Sequence, residues 1–302
     1  MSNDICRTSD LDREICPHCN PQPEPEPAAP TKPGLYPGIP ESVYHGDLDS
    51  LSSTAARRLL DVSPRQWKWE RDNPKPKSAD YFDLGTAVHT LVLGTGPQLV
   101  DLGVDEIRKD DVKAEVKRIR AEGGTPLRSK HYRQAHDMAE AVTANPTVAD
   151  WLASGEPELS LWHRDPVTGV MLRTRADWVH WLGRDSALIV DLKTSSEPGP
   201  EEFRRSVRNY RYHVQQAWYQ GAFAEHGITT AFVFVVVCEA PPHVSYIVEL
   251  TPEAVDLGER TARRAVDIYA ACLADDVWPA HGTDIHHIDL PHWAYQQEEY
   301  AQ

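Results

Sequence analysis

The run TAFVFVVVCEA (230–240) sets the first constraint on the fold. Every residue from Ala231 to Cys238 is apolar. The run is too short to span a bilayer and lacks the alternation of a strand with one wet face. It suits a central strand buried on both sides, inside a sheet covered front and back.

The rest of the chain supplies that sheet and its cover. LSLWHR, VMLRTRADWVHWL and SALIVDLKTS (within 159–195) read as three strands, with turns at DPVTG (165–169) and GRDS (183–186). SYIVEL (245–250) reads as an edge strand. Helical spacing is expected in LSSTAARRLLDVSPRQWKWERD (51–72), interrupted near Pro64, and in FDLGTAVHTLVLG (82–94), ending at Gly94. It is expected again in two helices over 104–145 broken at GGTP, in one stretch from about Glu201 to His226, and in PEAVDLGERTARRAVDIYAACLADD (252–276). The fold class is therefore α/β, a mixed central sheet flanked by helices, with no internal repeat.

Residues 20–43, NPQPEPEPAAPTKPGLYPGIPESV, lack either period and are rich in Pro and Glu. The chain thus divides into an acidic, disordered tail over 1–43 and a folded domain over 44–302. Cys16-Pro17-His18-Cys19, with Cys6 upstream, resembles half of a small metal site, but no second pair follows at zinc-ribbon spacing. The five cysteines are odd in number and scattered, which argues against a disulfide framework. The first residues lack a basic stretch followed by an apolar one, and no apolar run is long enough for a membrane span, so a cytoplasmic setting is expected.

A formal net charge of −15 argues at first against a nucleic-acid partner. The acidity is uneven, however: the first fifty residues are strongly acidic while RRSVRNYR (204–211) is basic. Metal-binding carboxylates also add to the negative side.

The charges inside the strands carry the chemistry. Asp191 and Lys193 are two apart, so both side chains leave one face of a strand. A hairpin centred on Arg184 would place Asp177 opposite Asp191, with Cβ atoms about 5 Å apart. Like charges so placed repel unless something cationic sits between them. Two carboxylates and an ammonium around one point suit an oxygen-liganded Mg²⁺ or Mn²⁺ site. Lys193 would orient or deprotonate a water, or steady the charge developing on a phosphate. The alternative is a solvent-facing, salt-bridged hairpin.

Asp177, a hairpin, then Asp191-x-Lys193 resembles the PD-(D/E)xK pattern of the restriction-endonuclease-like nucleases, with ARAD in place of PD. More specifically, RTRADWV, IVDLKTS and FRRSVRNYRYHVQQAWYQGAF resemble the exodeoxyribonuclease VIII (RecE-type) family of phages and prophages. YHGDLDSLSSTAARRLL, GTAVHTLVLG and the final LPHW extend the likeness from about Tyr44 to the C-terminus. The resemblance implies a restriction-endonuclease-like fold and a Mg²⁺- or Mn²⁺-dependent exonuclease with catalytic Asp177, Asp191, Lys193, Gln215 and Tyr219. It further implies that linear double-stranded DNA is digested from 5′ ends to leave 3′ single strands for recombination. A homo-oligomeric ring and a single-strand annealing partner are implied too, as is the cytoplasm of a bacterial host.

Each of these positions also has a bland reading. His89 is a core histidine, or a metal ligand or a group that orients one. If the DPVTG turn is centred between Val167 and Thr168, Glu158 lies opposite Asp177 as a third carboxylate; otherwise it is a surface residue. Gln215 and Tyr219, four apart, share a helix face and match the family's QxxxY element, or form a polar stripe. Arg205, Arg208, Arg211 and Tyr210 offer phosphate contacts and a stacking surface. Arg173 and Arg175 either bind phosphate or are structural ion-pair partners. The alternatives to an exonuclease are a non-catalytic DNA-binding protein of the same fold and a single-strand-preferring nuclease of the same superfamily. An iron–sulfur cluster of the kind some relatives carry is not expected, because only Cys238 and Cys272 fall in or after the core.

Overall fold

The computed structural model describes residues 28–74 and 80–282, Ile285, residues 287–291 and Tyr295. Most of the 1–43 tail with Cys6, Cys16 and Cys19, and part of the LPHW motif, lie outside the described residues.

The elements run β1 (Gly34–Tyr36), α1 (Glu41–Gly46), β2 (Leu51–Ser52), α2 (Ser53–Leu59), α3 (Pro64–Asp72) and α4 (Asp80–Leu93). Then come β3 (Leu99–Asp101), α5 (Asp110–Ala121), β4 (Thr125–Leu127), α6 (Ser129–Thr143) and α7 (Pro146–Leu152). The strands β5 (Glu156–Arg164), β6 (Met171–Trp181) and β7 (Ser186–Ser195) follow. The chain continues through α8 (Pro200–Asn209), α9 (Tyr212–Ala224), β8 (Thr229–Cys238), β9 (Ser245–Val248) and α10 (Pro252–Asp275).

The main sheet has the order β1-β5-β6-β7-β8-β9, with β2 also paired to β6. Its neighbours are antiparallel except β7–β8 and β2–β6, which are parallel. The apolar run does what its composition requires. Phe232, Phe234 and Val236 of β8 enter one core, under α2, α3, α8, α9 and α10. Val233, Val235 and Val237 enter the other, under α4, α6 and α7. Burying a side chain of this size contributes about 1.5–3 kcal/mol, so β8 fastens both layers to the sheet.

Capping sets the helix boundaries. The Ser52 hydroxyl accepts from the Ala55 N–H at the start of α2, and Ser63 accepts from Gln66 ahead of Pro64 at the start of α3. The break near Pro64 is therefore a new N-cap rather than a kink. At the end of α4, Gly94 takes a left-handed φ of 69° and its N–H returns to the Thr90 carbonyl.

Three departures from the sequence expectation have local causes. Ordered structure inside the expected tail includes a strand at Gly34, ahead of the domain start expected near Tyr44, because Gly34–Tyr36 pairs with Trp162–Ser160 on the outer edge of β5. A three-residue strand has no period to read. The stretch 201–226 is two helices, broken where Arg211 adopts φ 54°. Finally, β3 and β4 form a separate parallel pair, two three-residue strands that lie just before the charged helical stretch of 104–145 and at its GGTP break.

Candidate active site

The hairpin registers place the charged residues. Trp178 faces Val190 and Trp181 faces Ala187 across β6–β7, the register expected from a turn at Arg184. The ladder ends at that first pair. Asp177 and Asp191 are next in line but do not pair; the Asp177 carboxylate reaches over and accepts the Leu192 N–H at 2.9 Å. The expected cross-strand Asp177–Asp191 pair is thus replaced by a side-chain bond at the point where the strands part. Beyond it β2 takes over the same strand, at Leu172 and Arg173.

The other neighbour of β6 is irregular at the same level. Pro157 pairs with Trp178 and Leu159 with Ala176, while Glu158, opposite Asp177, stands out of the ladder with φ 53°. Side-chain alternation shifts phase here: Ala176 and Val179 pack in one core and the intervening Trp178 in the other. A left-handed φ at a non-glycine residue costs on the order of 1–3 kcal/mol and persists only where its surroundings enforce it. Both edges of β6 therefore release Asp177 from regular sheet.

The released carboxylates meet α4. Donor atoms of His89, Glu158 and Asp177 all lie within 4.8 Å of one another, and His89 Nδ1 is 3.7 Å from Asp177 Oδ2. Metal–oxygen and metal–nitrogen bonds of about 2.0–2.6 Å would join three atoms so spaced. Gly85 on α4 is not needed for this approach, since a Cβ there would meet Thr194 Oγ1 at an ordinary 3.6 Å. Asp191, fully buried, sits beside this trio. Its Oδ1 accepts from Gln215 Nε2 at 2.5 Å, and its Oδ2 is ion-paired to Lys193. Gln215 Nε2 also lies 3.3 Å from the Tyr219 hydroxyl. One face of α9 thus brings the two QxxxY positions to Asp191.

Electrostatics separates the acids from ordinary surface carboxylates. Burial, together with the Asp177 charge, pushes Glu158 up to about 7. Burial also raises Asp177, against the opposing pull of Lys193 and the Leu192 N–H. Asp191 rises to about 6 through burial, with Lys193 opposing and Asp177 reinforcing. His89 falls to about 4 through burial and the nearby Lys193, so its ring is a neutral donor. Burial works against the Lys193 ammonium, yet Asp191 and Asp177 outweigh it and hold its pKa above the ordinary value. Three carboxylates lack sufficient positive charge, and a neutral imidazole faces two of them. That donor set fits a divalent cation.

The arginines divide. Arg173 is buried and donates to the carbonyl and hydroxyl of Ser50, 3.7 Å from the Asp47 carboxylate. Arg175 donates to Ser160 Oγ at 2.8 Å and the Ile39 carbonyl at 2.7 Å, and lies 3.7 Å from Glu158 Oε2. Both guanidinium groups pack against the Tyr44 ring. Of the two readings, the structural ion-pair partner describes their surroundings. Both still line a cavity of about 710 Å³ that Glu158, Asp177 and Tyr219 also line. A second cavity, of about 1130 Å³, reaches His89 and shares Glu158 and Arg175 with the first. Arg205, Arg208 and Tyr210 are exposed on α8 and its C-terminal turn, whereas Arg211 pairs with Asp61 at 2.5 Å. Sequence reading assigned no role to Tyr44 or Asp47. Their signal was the stretch YHGDLDS itself, whose partners are distant in the chain.

A family model described as "PDDEXK-like domain of unknown function (DUF3799)" matches residues 53–291. The chain belongs to this family. The matched span holds His89, Glu158, Asp177, Asp191, Lys193, Gln215 and Tyr219. A solved structure titled as a "putative exonuclease" from Eubacterium rectale overlays with a TM-score of 0.57, at 11% identity, over 84% of this chain and 96% of its own. A second, of SSO0001, reaches a TM-score of 0.33 at 12% identity over 74% of this chain and 77% of its own, too low to bear on the fold. No curated protein matches the sequence. The PDDEXK-like chain has the restriction-endonuclease-like fold, as the resemblance of Asp177 and Asp191-x-Lys193 to the PD-(D/E)xK pattern led one to expect. Among its described residues no helix is long and apolar enough to cross a membrane.

Proposed function

We propose that this PDDEXK-like protein is a divalent-metal-dependent exodeoxyribonuclease that digests linear double-stranded DNA. The observation that carries the proposal is the meeting of His89, Glu158 and Asp177 within 4.8 Å, beside the buried Asp191–Lys193 pair. Membership of the PDDEXK-like family and the likeness to a structure titled as an exonuclease support the nuclease class.

His89, Glu158 and Asp177 would hold the ion, with Asp191 next to them as a further oxygen ligand. An imidazole beside carboxylates suits Mn²⁺ as well as Mg²⁺. A bound divalent cation supplies Lewis acidity toward a phosphate oxygen and lowers the pKa of a water. The chain's own residues do the rest. Lys193, held charged by its acidic neighbours, donates to a phosphate oxygen or to the attacking water instead of removing a proton. Gln215 fixes the orientation of Asp191 from α9, and Tyr219 holds Gln215. Arg205, Arg208 and Tyr210 would meet DNA outside the cleft.

Attack from 5′ ends to leave 3′ single strands, a ring-shaped homo-oligomer and transfer to a single-strand annealing protein rest on the resemblance to the exodeoxyribonuclease VIII family. A ring whose channel alone is basic would reconcile DNA binding with a net charge of −15. The test is digestion of a linear duplex labelled at one 3′ end, with a closed circle alongside, in Mg²⁺, in Mn²⁺ and in EDTA. Linear duplex should disappear only with metal, the circle should persist, and the label should remain on long single strands. Lys193→Ala should lower the rate at least about 10²- to 10³-fold. Intact linear DNA under every metal, still bound by the protein, would instead establish a non-catalytic DNA-binding protein of this fold.

A further inference from the structure

The turn between α8 and α9 is built around an exposed aromatic ring. Tyr210 is 60% exposed, and its ring stacks on Tyr212 with centroids 5.5 Å apart and an interplanar angle of 24°. Tyr212 stacks in turn on Phe203 at 5.7 Å and 27°, and Phe203 is fully buried. The Lys193 ammonium lies 5.0 Å from the centre of the Tyr212 ring. A near-parallel stack thus runs from the core to solvent, with Lys193 against its middle ring.

The backbone that presents Tyr210 is strained and pinned. Arg211 takes a left-handed φ of 54°, which bends the chain so that residues 210 and 212 place their rings side by side. Arg211 is tied to Asp61 at 2.5 Å, and Arg57 donates to the Tyr210 carbonyl at 2.6 Å. Strain of this kind at a non-glycine residue is held only where neighbouring contacts over-determine it, and it concentrates at functional sites. A surface tyrosine with no partner beyond solvent would not need such fixing. Arg205 and Arg208 on the adjoining helix are exposed and make no ion pair among the described residues.

We infer that Tyr210 is a stacking platform for an unpaired nucleobase of the strand whose phosphate lies at Lys193. Stacking on a tyrosine face needs a base free on at least one side, and every base offers a π-face, so the platform reads no sequence. A paired terminal base also exposes its outer face, but pairing fixes it in plane with its partner, whereas an unpaired base can turn about its backbone onto a ring set beside the Lys193 phosphate site. The site therefore takes a strand end that is already single, and a duplex end must open by at least its terminal pair to reach it. Arg205 and Arg208 hold the phosphates of the strand so separated. The inference rests on the nuclease reading and deepens it by naming the form of the substrate end.

The test uses the full chain in EDTA, where no strand is cut. A duplex with 5-iododeoxyuridine at its 5′ terminus is irradiated at long wavelength, which links the halogenated base to an aromatic ring stacked on it. Mass spectrometry should place the crosslink on Tyr210. A terminal mismatch at the labelled end should raise the yield, and moving the label into the duplex interior should abolish it. Tyr210→Ala should remove the crosslink and weaken binding of the mismatched end about 5- to 150-fold by fluorescence anisotropy, while Tyr210→Trp retains both. Anisotropy also separates this inference from the reading beneath it. Binding without a Tyr210 crosslink, or equal yields from paired and mismatched ends, would overturn the platform alone. Absence of DNA binding by the wild-type chain would overturn the nuclease reading and the platform with it.

Discussion

Two charge clusters lie a few residues apart on β6, the first buried and the second half-buried around a buried Asp191, and they differ most in their partners. At Arg173, the Asp47 carboxylate accepts from the Ser50 hydroxyl, the Trp162 indole at 2.9 Å and the Asp49 N–H at 2.8 Å. Burial opposes the charge, but those bonds and the guanidinium outweigh it and hold Asp47 below its usual range. At Asp177, three carboxylates crowd one ammonium and all three are pushed upward. The first cluster is balanced in charge within the chain, although Arg173 Nε finds no hydrogen-bond partner, and it joins the α1–α2 segment to the sheet. The second is short of positive charge and costs stability until something cationic arrives. Burial by itself marks neither; the balance of partners does.

Substitutions separate the two clusters, and the largest effect is on catalysis. Asp177→Asn should lower nuclease activity at least about 10²- to 10³-fold while Tm stays level or rises, because the amide oxygen can still accept the Leu192 N–H and one like charge is gone. A Tm fall comparable to that of an Asp47 variant would erase the distinction. Asp47→Ala should cost about 3–5 kcal/mol in urea unfolding, since it leaves the buried Arg173 charge without its counter-ion and the Ser50, Trp162 and Asp49 donors without their acceptor, with the metal site intact in the folded fraction. Trp162→Phe removes one charge-assisted bond from Asp47 and should cost about 1.5–3 kcal/mol.

The smallest effect is a matter of pH. The folded pKa of Asp47 lies below its unfolded value, so its contribution is present above the unfolded value of about 3.9 and disappears as pH falls through the lower, folded one. The stability gap between wild type and Asp47→Asn should therefore be constant above about pH 5 and close below about pH 4. A gap that widened on acidification would contradict the sign.

Much of this was legible in the sequence, and the remainder has identifiable physical reasons. The buried strand β8 announced itself by composition, and both hairpin registers followed from symmetric turns. Asp191, Lys193, Gln215 and Tyr219 converge because period-two and period-four spacing are properties of strand and helix. The break in the ladder at Asp177 was not readable. It depends on the left-handed backbone of Glu158 in β5 and on β2 replacing β7 beside β6, neither of which leaves a local pattern. The interior role of Arg173 and Arg175 was open for the same reason: parity gives their face, but Tyr44, Asp47 and Ser50 arrive from far along the chain. β1 lay inside a proline-rich stretch and exists only because β5 offers it an edge.

The most direct measurement is calorimetric titration of Mn²⁺ into the metal-free protein and three variants. Wild type and Asp47→Asn should bind the ion with similar affinity, whereas Asp177→Asn and Glu158→Gln should each lose most or all of the binding heat. A wild-type protein that takes up no Mn²⁺, or an Asp47→Asn variant as deficient as Asp177→Asn, would contradict the assignment of the crowded carboxylates to a metal.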